Sequence, residues 1–239
     1  MTALLYQTDS YLKEFNAVVT TVDEVSHAVI LDQSAFYPGG GGQPCDTGKL
    51  LLHNDEVIVT KVKKSPEGIL HYLPDTAMLP SAGTEVKGVL DWERRYQLMR
   101  THTAMHILCG VVFRDYGAQV TGGDMEPLQG RMDFEFESLS KELVSVIEQA
   151  VNREIMSAHP VIVDILPREK AFQIPDLIRT KINLLPPGIE KVRVVELKDL
   201  DLQADGGTHV ANTKEVGHVR VVDYKSKGKI NKRIYVEID

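Results

Sequence analysis

Cysteine occurs only twice in 239 residues, at Cys45 and Cys109. Disulfide bonds therefore do not hold the chain together, and such sparing use agrees with a reducing compartment. No run of 18 or more apolar residues is present, so a membrane-crossing helix is excluded by length. The opening ten residues are too polar for a secretory leader, and a cytoplasmic protein without membrane contact is expected. An excess of positive charge is also missing. Lys and Arg number 27 against 34 Asp and Glu, a net charge of -7, which argues against indiscriminate coating of nucleic acid but permits one local basic surface. No G-x-S-x-G nucleophile elbow occurs, and the run Gly39-Gly40-Gly41-Gly42 lacks the Lys-Ser/Thr ending of a phosphate-binding P-loop. Internal repeats and low-complexity tracts are absent too. With 43% hydrophobic and 26% charged residues, the remainder reads as an ordinary globular chain able to bury a core.

Strand-like segments open the chain: residues 17–20, 28–31, 57–62 and 86–90, separated by turn formers such as Ser65-Pro66-Glu67-Gly68. Several short strands at close spacing suggest a small N-terminal β-barrel over residues 1–90. Asp91 then has the character of an N-cap, and Leu98, Met105, Leu108 and Val112 recur at helical spacing to about Phe113, before Asp115-Tyr116-Gly117 stops the helix. Residues 131–136 alternate like a half-exposed strand. A second helix is expected from Ser138 or Ser140, with Leu143, Ile147, Val151 and Ile155 as its buried stripe and Pro160 as its stop. Residues 161–165, 192–196, 219–222 and 234–238 read as further strands. The fold class is therefore α+β, with an antiparallel sheet and one long helix in a second domain over residues 91–239.

His102 and His106 lie four apart on that long helix, so both imidazoles stack on one face and can grip a single ion. Asp205 and His209 repeat the spacing in Asp205-Gly206-Gly207-Thr208-His209. The paired glycines suit a tight loop where backbone approaches something closely. Neutral imidazoles with one anionic ligand suit Zn2+, whereas calcium or magnesium calls for mostly oxygen donors. The ligand set is thus His102, His106 and His209, with the fourth position open to Asp205, a water or Cys109. Cys109 has the apolar neighbours Ile107, Leu108 and Val111, which favour a packed hydrophobe. Arg94 and Arg95 near the helix start, and Lys227, Lys229 and Arg233 near the C-terminus, are candidates for phosphate contact.

These residues resemble a known family. The segments 36–48 (Phe36-Tyr37-Pro38 through Gly48), Trp92-Glu93-Arg94-Arg95, Thr101-His102-Thr103-Ala104-Met105-His106, Asp205 through Val210 with Thr213 to Gly217, and Ser226-Lys227-Gly228-Lys229 are similar to the editing domain of alanyl-tRNA synthetases and to its freestanding relatives, the AlaX-type alanyl-tRNA editing proteins. Nearly the whole chain is covered, and Asp205 stands where the family usually has cysteine. The resemblance implies a zinc-dependent aminoacyl-tRNA deacylase that removes serine or glycine from mischarged alanine tRNA by acting at the acceptor end.

That chemistry needs no covalent nucleophile, because bound zinc can polarise a carbonyl and activate water. Catalysis would then run through the site of His102, His106 and His209, although the ion could instead hold the substrate while another group places the water. An apolar pocket separates serine from alanine only about a hundredfold, whereas a site that hydrogen-bonds the hydroxyl reaches about 10⁴ or more. Gln43, Thr101, Thr103 and Thr208 are the candidates for that bond, with Gly41 and Gly42 as backbone close to substrate. Two other functions fit parts of the pattern: a zinc hydrolase of small esters or amides, and a noncatalytic tRNA-binding module. His106→Ala is expected to abolish hydrolysis and leave much of the fold. Whether the protein is a monomer or a homodimer stays open.

Overall fold

In the computed structural model, residues 1–53, 55–178 and 188–239 are described, in two units, Met1–Tyr96 and Gln97–Asp239. The first is built of strands: β1 (Ala3–Leu4), β2 (Glu14–Asp23), β3 (Ala28–Leu31), β4 (Gln33–Ser34), β5 (Gly48–Leu51), β6 (Glu56–Val59), β7 (Lys61–Ser65), β8 (Gly68–Tyr72) and β9 (Glu85–Leu90). Alternation makes them strands. In β2, Phe15, Ala17 and Val19 are buried while Glu14, Asn16 and Thr20 are exposed. Their buried side joins Leu31, Phe36, Leu50 and Leu90 in one core. Seven strands form an antiparallel sheet in the order β6-β5-β9-β2-β3-β8-β7, and β1 pairs in parallel with β4. The continuous strand expected over 57–62 breaks at Thr60, its halves pairing with β5 and β8. Among the described residues no pairing joins β6 to β7, so hydrogen bonding does not close a barrel.

The glycine run is explained by turn chemistry. Gly40 and Gln43 exchange backbone hydrogen bonds of 3.0 Å, and between them Gly41 and Gly42 have φ of 59° and 89°. Positive φ at both central positions is the demand of a two-residue type I′ turn, which glycine meets without strain. Below this turn, Tyr37 N donates to Asp46 Oδ2 at 2.6 Å. Asp46 is in turn held by Arg95, which also donates to the carbonyls of Ser10 at 3.1 Å and Ala35 at 2.6 Å. Arg95 is fully buried. The phosphate-contact role expected of it is corrected accordingly: its charge is spent inside the unit, tying the glycine-rich segment to the start of the long helix.

That helix is α1 (Trp92–Tyr116). Asp91 Oδ1 accepts from Arg94 N at 3.2 Å, the expected cap. From Thr101 to Val112 every residue is buried, so α1 is a core helix rather than one with a single apolar stripe. It is followed by β10 (Val120–Glu126), β11 (Gln129–Glu135), α2 (Lys141–Met156), β12 (Val161–Pro167), α3 (Arg168–Ala171), β13 (Lys191–Leu197), β14 (Asp201–Ala204), β15 (Val219–Ser226) and β16 (Asn231–Ile238). Two antiparallel sheets result, in the orders β10-β11-β16-β15 and β12-β13-β14. Ser140 caps α2 through Leu143 N, and Val144, Ile147, Val151 and Ile155 form its buried face. In β11, Met132, Asp133 and Phe134 are all buried, against the expected alternation. The polar member is tolerated because Arg233 grips both carboxylate oxygens of Asp133, at 2.6 and 2.7 Å. The chain is thus α+β with antiparallel sheets and few helices. Among the described residues no helix is long and apolar enough to cross a membrane.

Candidate metal centre

His102 and His106 stand one turn apart on the buried stretch of α1, their ring centroids 5.1 Å from one another. The segment that leaves β14 brings the other pair. His209 stacks on His102 with centroids 4.3 Å apart and lies 4.7 Å from His106. Asp205 Oδ2 is 2.9 Å from His209 Nε2, and its Oδ1 is 3.6 Å from His102 Nε2. One ligand atom from each of His102, His106, Asp205 and His209 falls within 4.8 Å of all the others. Two remote segments therefore converge on one point, as their matched spacing leads one to expect. Cys109 is buried but is not part of this group.

The electrostatics suit a cation. Burial pushes the His102 imidazole down to about 4, with the charge of Asp205 opposing. Burial, followed by the neighbouring His102, holds His209 well below its ordinary value. Both rings are therefore neutral at pH 7, the form that binds metal. For Asp205, burial favours the neutral acid, but the imidazoles around it and the hydrogen bond from His209 outweigh that and keep it ionised. Burial also disfavours a charged His106, yet the hydrogen bond and charge of Asp201 raise it. Donors with a free lone pair, an anion and little solvent are what a borderline divalent ion requires.

The chain supports these donors from behind. Gly207 N donates to Asp205 Oδ2 at 2.8 Å, and Arg193 Nη1 donates to the Asp205 carbonyl at 3.0 Å. Thr103 Oγ1 lies 3.2 Å from His209 Nδ1 and accepts from Val210 N. Asp201 Oδ2 lies 3.1 Å from His106 Nδ1. Asp201 and Arg193 carried no sequence signal. An acid at the start of a short strand reads as turn polarity, and an arginine in an apolar run reads as surface charge, until the β13–β14 register is known.

Other expected site residues are placed as follows. Thr101 is buried and bonded to backbone, donating to Gln97 O at 2.9 Å and accepting from Leu128 N at 2.9 Å, so it ties α1 to the β10–β11 turn. Thr103 is engaged with His209, and Thr208 is fully buried beside it in sequence. Gln43 is buried within the first unit, where Gly41 and Gly42 form its turn. A Cβ on Gly206 would meet nothing within 4 Å, so the close backbone approach expected there is not to the chain itself. Arg94 is half-buried, with Nη2 3.4 Å from Cys45 O. Lys227 and Lys229 are exposed on the β15–β16 hairpin, whereas Arg233 is committed to Asp133.

Comparison with known proteins adds an independent line. Residues 192–235 match the family described as the threonyl and alanyl tRNA synthetase second additional domain, and residues 5–94 match the family described as class II (A) tRNA synthetases. The chain is 42% identical to an alanyl-tRNA editing protein AlaX-M of Saccharolobus solfataricus, over all of this chain and 99% of that protein. It is 37% identical to the AlaX-M protein of Methanosarcina acetivorans, covering 98% of each. Against an alanine–tRNA ligase of Pyrococcus abyssi it is 38% identical over 92% of this chain but only 24% of the ligase.

Proposed function

Because this chain belongs to the family of AlaX-M alanyl-tRNA editing proteins, we propose that it is a zinc-dependent deacylase that hydrolyses the ester joining serine or glycine to alanine tRNA. The observation that carries this reading is the convergence of His102, His106, Asp205 and His209 within 4.8 Å. These four would hold the ion, and the same three imidazoles would form the catalytic centre. Zinc bound there supplies Lewis acidity, polarising the ester carbonyl and making water more acidic. The chain's own contribution is enclosure and charge. His102, His106 and His209 are each exposed by 6% or less, so bulk water is excluded, and the Asp205 carboxylate supplies the negative charge that a dication needs nearby. No thiol belongs to the cluster, and direct hydrolysis is favoured over a covalent intermediate.

We assign serine recognition within the second unit to Thr208, which is buried next to a proposed ligand; for Gln43 and the Gly41–Gly42 turn of the first unit, a substrate-binding role is proposed separately, on the strength of the family resemblance alone. Thr101 and Thr103 already have partners and serve the helix and His209. Residues 1–90 are read as a barrel-like module, since only Thr60 separates the two edge strands, and residues 91–239 as the editing domain. Acceptor-end phosphates would be met in the second unit by Lys227 and Lys229, and Arg94 of the first unit is proposed as a separate tRNA contact. Exchanging both lysines for alanine should weaken tRNA binding and flatten its dependence on log salt by roughly 2, about 1 per lost phosphate contact. An unchanged slope places the phosphate surface elsewhere.

The deciding assay charges one alanine tRNA separately with serine, glycine and alanine, with and without a chelator. Release of serine or glycine that spares alanine and stops on chelation is the expected result. Indifference to the amino acid, or inactivity on all three by zinc-loaded protein, contradicts the proposal.

A further inference from the structure

Asp201 opens β14, opposite Leu197 in the β13–β14 hairpin, and its side chain has no solvent exposure. A carboxylate is buried at high cost unless its oxygens are bonded. Here Oδ2 faces His106 Nδ1 at 3.1 Å and accepts from Gln203 Nε2 at 2.6 Å. With a carboxyl oxygen at hydrogen-bond distance, Nδ1 of His106 is the ring nitrogen placed to donate, which leaves the lone pair on Nε2.

The hairpin reaches His106 through a gap in α1. Gly110 lies one turn beyond His106 on the same helix face. A Cβ at residue 110 would sit 3.0 Å from Leu200 Cγ, 3.1 Å from Asp201 Cβ and 3.1 Å from the Leu200 carbonyl oxygen. All three are tighter than ordinary van der Waals contact. The 200–201 turn can rest against the helix because residue 110 has no side chain, and its descent brings the Asp201 carboxylate behind His106.

From this geometry we infer that Asp201 is a positioning residue of the metal site, fixing the tautomer and orientation of His106 so that Nε2 is offered to the cation, and that Gly110 admits it. The inference rests on the metal reading given above. Carboxylates behind a ligating histidine typically contribute 10- to 100-fold in metal affinity.

The test measures zinc affinity of the full chain by chelator competition for wild type, Asp201→Asn and Gly110→Ala, alongside thermal melting of the zinc-free proteins. Asp201→Asn should weaken zinc at least tenfold, and Gly110→Ala should weaken it less, in both cases beyond what any change in melting explains. Affinity of Asp201→Asn within twofold of wild type, whatever its melting temperature, overturns the inference while leaving the metal site intact. The unmutated protein gives a second readout. Long-range ¹H–¹⁵N spectra of its zinc-loaded form should show His106 protonated at Nδ1 and metallated at Nε2, and the reverse tautomer refutes the role of Asp201. A wild-type chain that takes up no zinc removes both this inference and the reading beneath it.

Discussion

His102→Ala should lose zinc binding and slow deacylation of serylated alanine tRNA by about a thousandfold or more, the equivalent of about 4 kcal/mol of transition-state stabilisation. The fold should remain. Leu98, Met105, Leu108 and Val112 keep α1 in the core, so the helical circular dichroism of the zinc-free variant should match wild type. Activity within tenfold of wild type at normal zinc uptake would contradict the assignment of His102. The companion change His106→Ala, which the sequence alone makes look equally harmless to the fold, is not equivalent. It strips the buried Asp201 carboxyl of its imidazole partner in a site closed to water, and leaving a buried polar group without its hydrogen-bond partner is destabilising. That variant should lose stability as well as activity, so His102→Ala is the cleaner probe.

Asp46→Ala should destabilise the first unit by about 3–5 kcal/mol. Its carboxylate is the counter-charge of a fully buried guanidinium, and it also accepts the backbone N–H of Tyr37. Removing it leaves Arg95 charged, without solvent, and donating only to carbonyls. At roughly 2–4 °C per kcal/mol for a chain of this size, the melting transition should fall by about 10 °C. Replacing Arg95 and Asp46 together with apolar residues should recover part of the loss, because the uncompensated charge goes too. A single Asp46→Ala that melts within 2 °C of wild type would show that the pair does not anchor the glycine-rich segment.

What could be read from sequence was local, and what escaped was set by register or long-range pairing. The clustering of His102, His106, Asp205 and His209 was legible because i, i+4 spacing on a helix fixes geometry directly, and the loop repeated that spacing. The cap at Asp91 and most of the buried face of α2 were legible from local pattern too, with Val144 buried in place of the expected Leu143; the turn made by the glycine run was not. Arg95 was misread because a cation in the first turn of a helix is ordinarily solvated, and its burial depends on Asp46, 49 residues earlier. The Arg233–Asp133 ion pair was not visible in sequence, since only the pairing of β11 with β16 sets the two opposite one another. Asp201 and Arg193 became visible through the β13–β14 register. At Thr60 the alternation slips by one residue, from Val57 and Val59 buried to Val62 buried, as the two halves switch partners.

Diffraction from the zinc-loaded protein on both sides of the zinc absorption edge tests the central claim most directly. The account predicts one strong anomalous peak per chain, bonded to the imidazoles of His102, His106 and His209 and to the Asp205 carboxylate. An anomalous map empty at that point, or a zinc peak held by other residues, would contradict it.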